Sequence, residues 1–319
     1  LKPPYTITDK ILSLVASISE KIGEINAHHL YKPTTELRKK NRIKTIQSSL
    51  EIEGNTLTEE HITALLDNKR IIAPLKDIQE AQNAIEVYPR LKEFNPTSIK
   101  DLEKAHAVLM KDLIDKAGKL RNSNVGIVKG SKVEHIAPDG SMVKGLMNDL
   151  FRYLKEDNEL VLIKSCVFHY EFEFIHPFFD GNGRMGRLWQ TLILMQQYPV
   201  FEYLPVESLI KKNQEEYYNK LSESDKKGNS TPFVEFMMGI ILEALQQVLQ
   251  SQNTNLNTKE RILIFKEKMK SEKFSRKDYL QHFKNISAPT ASRDLKWAVD
   301  QNVLEKYGEQ RLTEYQFIG

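Results

Sequence analysis

The sequence predicts a mainly α-helical protein with one short β-hairpin and a small, separate C-terminal domain. Three observations carry that expectation. Apolar residues recur three and four positions apart through most of the chain, period-two alternation is confined to short stretches, and the polar run SQNTNLNT, Ser251 to Thr258, interrupts the pattern near the end. With 319 residues and 40% hydrophobic content the chain has room for two cores.

The elements follow in chain order. Ile11, Leu14, Val15, Ile18, Ile22 and Ile25 line one face of a first helix. In NRIKTIQSSLEIEGN, Asn41 to Asn55, the residues Ile43, Ile46 and Leu50 fall on one helical face, with Glu53 on the same stripe and Gly54 as a natural C-cap. A carboxylate at a helix C-terminus opposes the helix dipole, so Glu53 should meet a cation. NVGIVKGSKVEHIAP, Asn124 to Pro138, alternates and carries a Lys129-Gly130-Ser131 turn, which predicts the hairpin. FHYEFEF alternates too, but Ile163, Val167, Tyr170 and Phe174 sustain helical spacing over a longer window. Phe233, Phe236, Met237, Ile240, Ile241, Leu245 and Leu249 form a last long amphipathic helix before the polar run. Pro89, Pro96, Pro199 and Pro205 punctuate the helices.

Composition narrows the class. No run of about 18 apolar residues is present, and the N-terminal LKPPYTITDK lacks a signal-peptide pattern, so we expect a cytoplasmic protein without a membrane partner. The single Cys166 lies in an apolar run and reads as a buried small hydrophobe. The net charge of +3 is uneven: residues 259–319 hold 13 Lys/Arg against 9 Asp/Glu, while the rest is nearly neutral.

The densest chemistry lies in FIHPFFDGNGRMGRLWQ, Phe174 to Gln190. Gly181 to Gly186 satisfies GxGxxG, yet a dinucleotide site needs a strand directly before the first glycine and no acid facing the pyrophosphate. Here His176-Pro177 intervenes and Asp180 precedes Gly181, and the strand-helix alternation of a doubly wound sheet is missing. Gly181, Asn182 and Gly183 free the backbone to point amides at one spot, at the positive end of the following helix, which makes an anion nest. Arg184 and Arg187, three apart, share a side of its first turn and suit bidentate contact with phosphate oxygens. Asp180 offers a hard oxygen ligand for Mg²⁺. Histidine's ordinary pKa lies near neutrality, so His176 is the candidate base for an attacking hydroxyl. The set describes phosphoryl or nucleotidyl transfer.

HPFFDGNGRMGR, His176 to Arg187, resembles the signature of Fic-domain proteins, HxFx(D/E)GNGRxxR, at every defined position. AGKLRNSNVGIV and APDGSMVKGLMNDL resemble the flanks of that family's active-site flap, and EEYYNKLSES and TPFVEFMMGII its closing helices. The resemblance spans roughly residues 35 to 245. It implies a Fic helical core with a β-hairpin flap and transfer of AMP from MgATP to a protein hydroxyl, releasing pyrophosphate. By motif position, His176 is the base, Asp180 the Mg²⁺ ligand and Asn182 with the neighbouring amides the α-phosphate cradle. Arg184 and Arg187 are the β/γ-phosphate clamps, and Gly181, Gly183 and Gly186 line the ATP site. Ser49, Glu53 and Gly54 match the family's inhibitory motif (S/T)xxxE(G/N), which implies that Glu53 pairs with Arg187 and displaces the γ-phosphate.

The C-terminal segment has its own pattern. SRKDYLQHF, a turn with Pro289, a helix bearing Leu295, Trp297, Ala298 and Val299, and a strand-like ending near Gly308 resemble a winged helix-turn-helix domain. Thr290 to Asp300 would be its recognition helix, with Arg293 and Lys296 toward phosphates and Thr290 and Ser292 toward bases or backbone. Asp294 and Asp300 dilute that face, so both DNA and protein contact stay open.

The expected organisation is an N-terminal helical region, 1–95, with the inhibitory helix at about 41–54; a catalytic core with closing helices, 96–250; a linker, 251–258; and the winged-helix domain, 259–319. Expected partners are ATP, a protein presenting Ser, Thr or Tyr (another chain or this one), and DNA through residues 290–300. Removal of AMP, transfer of another phosphate-bearing group, and a DNA-binding regulator that senses ATP all remain compatible with these residues.

Overall fold

The computed structural model describes residues 2–27, 35–129, 132–255, 257–270, 272–283, 286–309 and 313–318. The chain divides into two compact units, Leu1–Ile22 with Tyr31–Leu245, and Gly23–Leu30 with Gln246–Gly319. In order, the helices are α1 (Asp9–Ala27), α2 (Thr35–Ile52), α3 (Glu59–Leu66), α4 (Leu75–Val87) and α5 (Ile99–Leu109). A hairpin, β1 (Gly126–Lys129) and β2 (Lys132–Ile136), follows. Then come α6 (Val143–Glu156), α7 (Val161–Ile175), α8 (Asn182–Met195), α9 (Val206–Lys212), α10 (Gln214–Lys227) and α11 (Thr231–Asn255).

In the first unit α7 and α8 form the centre. Leu162, Cys166, Val167, Phe168, Tyr170 and Phe172 of α7 are buried on several sides, the mark of a helix enclosed by others. Met185, Leu188, Trp189 and Leu192 of α8 are equally enclosed, and Trp189 Nε1 donates to Pro96 O at 3.0 Å. The alternating FHYEFEF is thus helical. Burial pushes the Cys166 thiol up to about 12, consistent with an inert packing residue.

β1 and β2 pair antiparallel, with a register shift between Ile127 and Val128. Residues 130 and 131 of the expected turn lie outside the described residues. In α11 the window Thr231–Gln250 is long and apolar enough to cross a membrane by composition, although Glu235, Glu243 and the glutamines interrupt it. Phe233, Val234, Met237, Met238, Ile241 and Leu245 are buried, so core packing accounts for that apolarity. The same helix continues to Asn255, through most of the stretch that the sequence suggested as a linker, and the units divide inside it. The run carries no apolar stripe, but no Pro or Gly interrupts the backbone ladder.

The second unit contains α12 (Thr258–Met269), β3 (Phe274–Ser275), α13 (Arg276–His282), α14 (Ala288–Asp300), β4 (Leu304–Tyr307) and β5 (Glu314–Phe317). Its strands form an antiparallel sheet of order β3-β5-β4, and Phe265, Phe274, Tyr279, Leu295, Ala298 and Phe317 fill one core. Pro289, expected in a turn, sits in the first turn of α14 behind the Ser287 cap, where a missing N–H costs nothing. Asp294, read as an exposed charge, is buried: it accepts from Arg261 Nε at 2.6 Å, Thr258 Oγ1 at 2.7 Å and Tyr279 Oη at 3.2 Å.

Candidate active site

The site is built on the turn between α7 and α8. The α7 helix ends at His176, whose left-handed backbone (φ 49, ψ 62) reverses the chain. A β-carbon in that region costs energy and persists only where neighbours fix it. Arg121 supplies the fixing contacts: its backbone N–H donates to Pro177 O at 2.8 Å, Nε to His176 O at 2.7 Å and Nη2 to Ile175 O at 3.0 Å. Its remaining donors reach Ser123 O at 2.9 Å and Pro138 O at 2.7 Å, on the two sides of the hairpin. One buried guanidinium therefore satisfies the carbonyls left open by the helix end and ties the base of the flap to His176.

Asn182 closes the turn from the other side. Its Oδ1 accepts from Phe178 N at 2.9 Å and its Nδ2 donates to Phe178 O at 3.0 Å. The Asn182 side chain thus shapes the loop from which the first amides of α8 project. Gly181 has φ +78, and a β-carbon there would meet Met110 Sδ at 2.5 Å. His106 holds the same loop, with Nδ1 accepting from Gly118 N at 2.8 Å. Nε2 therefore carries the proton and donates to Asp180 O at 2.9 Å. The imidazole stacks on Phe178 at 3.7 Å, and burial lowers its pKa to about 4, so it is neutral at pH 7.

Arg187 is 2% exposed. Its Nε donates to Ser49 Oγ at 3.2 Å, and its Nη2 donates to Ser49 O at 2.9 Å and to Glu53 Oε1 at 2.7 Å. Burial opposes the charge, but Glu53, together with Tyr217 and Glu173, outweighs it and holds the Arg187 pKa above its ordinary value. Glu53 terminates α2 in a Schellman arrangement: Asn55 N donates to Leu50 O and Gly54 N to Glu51 O, with Gly54 at φ +91. Lys211 Nζ adds a second donor to Glu51 O, and Gln214 Nε2 donates to Ile52 O. The carboxylate so placed leans over Gly183, where a β-carbon would collide with Glu53 Oε1. It occupies the positive end of α8, which favours an anion.

Arg184 faces a different acid. Its Nη1 lies 3.0 Å from Glu80 Oε1 of α4, and its Nη2 lies 3.6 Å from Asp180 Oδ1. Arg184 Nε, Arg184 Nη1 and Arg187 Nη1 are buried donors without hydrogen-bond acceptors among the described residues. Gly186, expected beside ATP, instead faces α7, where a β-carbon would come within 2.7 Å of Glu173 Oε1 and 3.1 Å of His169 Cδ2. Close packing against α7 requires a glycine there.

The structure therefore gathers His176, Asp180, Gly181, Gly183, Arg184, Arg187, Ser49 and Glu53 around the first turn of α8, with Asn182 beneath. Sequence reasoning missed Arg121, His106, Glu80 and Asn55. Glu80 had a legible signal: with Ala84 and Val87 it lies on the buried stripe of α4, a carboxylate among apolar residues as Glu53 is on α2. Among the described residues no group of three or more His, Cys, Asp or Glu could hold a metal by itself. Asp180, about half exposed at the mouth, fits a cation only in company with ligand oxygens and water, the usual situation for Mg²⁺.

Comparison with known proteins agrees with this geometry. The Fic/DOC family model matches residues 96–194. A Fic family protein from Desulfovibrio desulfuricans G20 aligns over 100% of this chain and 99% of its own, with 40% identity and a TM-score of 0.77. Fic-1 (residues 134–508) of C. elegans shares the fold at a TM-score of 0.59 and 19% identity, over 77% and 76% of the two chains. Protein adenylyltransferase fic-1 of Caenorhabditis briggsae is 28% identical over 72% of this chain and 46% of its own. Protein adenylyltransferase Fic of Nematostella vectensis is 28% identical over 72% and 55%. The chain spans about half the length of these two relatives.

Proposed function

This chain belongs to the Fic/DOC family, and from that membership and the site we propose that it is a protein adenylyltransferase restrained by Glu53. The observation that carries the reading is the Glu53–Arg187 pair over Gly183: a carboxylate sits where a helix N-terminus and a buried guanidinium together attract an anion. ATP phosphates suit that position. Arg187 and Arg184 would take the terminal phosphates: Arg187 Nη1 is a buried donor without a hydrogen-bond acceptor among the described residues, and Arg184 Nη2 reaches toward the mouth of the site. The first amides of α8 would receive the α-phosphate, with the Asn182 clasp keeping the loop in shape.

His176, held by Arg121, would accept the proton of a Ser, Thr or Tyr hydroxyl. The oxygen–phosphorus bond forms at the α-phosphorus as the bond to the bridging oxygen of the β-phosphate breaks, and pyrophosphate leaves. Asp180 would hold magnesium, which supplies charge neutralisation on the phosphates. The flap hairpin offers a strand edge that can register a target segment through backbone bonds. Intact-mass measurement with MgATP tests the reading: Glu53→Gly should add AMP to itself or to a target, and no AMP adduct under any condition would contradict it.

A second reading concerns the C-terminal unit, which we read as a winged helix. Because Asp294 turns inward to Arg261, the exposed side of α14 carries Arg293 and Lys296 with only Asp300 opposing. That balance favours a polyanion such as DNA more than the raw sequence did.

A further inference from the structure

We infer that Glu80 is a positioning residue for nucleotide recognition, one that fixes Arg184 for the terminal phosphates of a nucleoside triphosphate. The inference rests on the nucleotidyl-transfer reading above. Two acids meet the two signature arginines, and the structure gives them different mechanical status. Glu53 stands at the end of α2, its side chain 31% exposed and paired with Arg187. Glu80 lies mid-helix in α4, its side chain 8% exposed, with Oε1 at 3.0 Å from Arg184 Nη1 and Oε2 accepting from Asn55 Nδ2 at 2.8 Å. Lys76 adds a cation at 3.9 Å.

A ligand's phosphate can displace the first acid into solvent. The second has no such exit: moving it would strip a buried carboxylate of its donors and leave the buried Arg184 with only the half-exposed Asp180 at 3.6 Å. Glu80 therefore stays when an anion arrives. It holds one edge of the guanidinium, while Nη2 on the other edge reaches toward Asp180 at the mouth of the site. Planar guanidinium recognition depends on orientation, so a fixed edge presents the free edge in one geometry. Asn55, two residues beyond Glu53, also donates to Asp77 O and accepts from Leu57 N, so its grip on Glu80 is itself rigid.

A merely structural Glu80 would neutralise Arg184 and nothing more. The two roles part on ligand length, because AMP lacks the phosphates assigned to Arg184. The experiment measures ATP and AMP affinity by calorimetry in the full chain carrying Glu53→Gly, with and without Glu80→Gln, which keeps size but loses charge. The expected result is an ATP affinity weakened about tenfold, the scale of one charge-assisted contact, with AMP affinity unchanged. Asn55→Ala in the same background should give the same selectivity at smaller amplitude and decides the matter if Glu80→Gln does not fold. Equal weakening for ATP and AMP, unchanged ATP binding, or tighter ATP binding would each overturn the inference. A Glu53→Gly parent that binds neither nucleotide would overturn the nucleotide reading and this inference with it; a normal parent with an unaltered Glu80→Gln overturns the inference alone.

Discussion

Replacing Glu53 by Gly should raise AMP transfer, and the site geometry bounds the gain. Arg187 is almost fully buried, its bond to Glu53 is 2.7 Å long, and the carboxylate also lies at the positive end of α8. Breaking a fully buried ion pair costs about 3–5 kcal/mol, and the 31% exposure of the Glu53 side chain reduces this to about 2–3 kcal/mol. An occluded state favoured by that amount suppresses productive ATP binding by roughly 30- to 150-fold. The variant should recover a factor of that order. Ser49 remains to hold Arg187 through its hydroxyl and carbonyl, so the guanidinium should keep its place once Glu53 is gone. ATP titration calorimetry and AMP-transfer rates, on wild type, Glu53→Gly, and Glu53→Gly with Arg187→Ala, read the effect. Wild-type activity equal to that of Glu53→Gly would refute the restraint, and a double variant as active as Glu53→Gly would refute Arg187 as its beneficiary.

Other outcomes follow from neighbouring groups. Asp180→Ala should abolish the Mg²⁺-dependent tightening of ATP binding while leaving metal-free binding little changed; equal titrations with and without Mg²⁺ for wild type would make the aspartate structural. His106 and His169 are buried with pKa values lowered by desolvation to about 4 and about 3. The unfolded chain takes up protons below about pH 6.5 that the folded chain refuses, so stability is present above that pH and falls as pH drops toward 4. Each histidine contributes about 1.4 kcal/mol per pH unit, or about 2 kcal/mol by pH 5. Urea unfolding that is flat between pH 7 and pH 5 would contradict both burials. Duplex DNA affinity, if α14 meets phosphates, should weaken with salt and with Arg293→Ala plus Lys296→Ala; binding indifferent to both would exclude that face.

The legible parts of this molecule were those whose partners are near in sequence or carry a complementary charge. His176 to Arg187 lies within one turn and one helix start, so spacing alone brings its chemistry together. Glu53 was readable because an acid on an apolar stripe at a helix end needs a cation. Arg121 was not, since its five bonds go to backbone carbonyls up to 56 positions away, and carbonyls carry no residue-type signature. Asn182 and Gly186 show the complementary limit. Their types fit ligand contact equally well, and only packing reveals that one clasps Phe178 and the other admits His169. Asp294 looked like surface charge because its partner Arg261 lies 33 residues earlier on another helix.

The central claim is transfer of the α-phosphoryl end of ATP by His176, and position-specific labelling tests it most directly. Glu53→Gly and Glu53→Gly with His176→Ala are incubated with Mg²⁺ and ATP labelled at either the α- or the γ-phosphorus, and label in protein is counted. The account predicts incorporation of the α label alone, lost in the His176→Ala variant although ATP still binds. Incorporation of the γ label, or undiminished α label without His176, would contradict it.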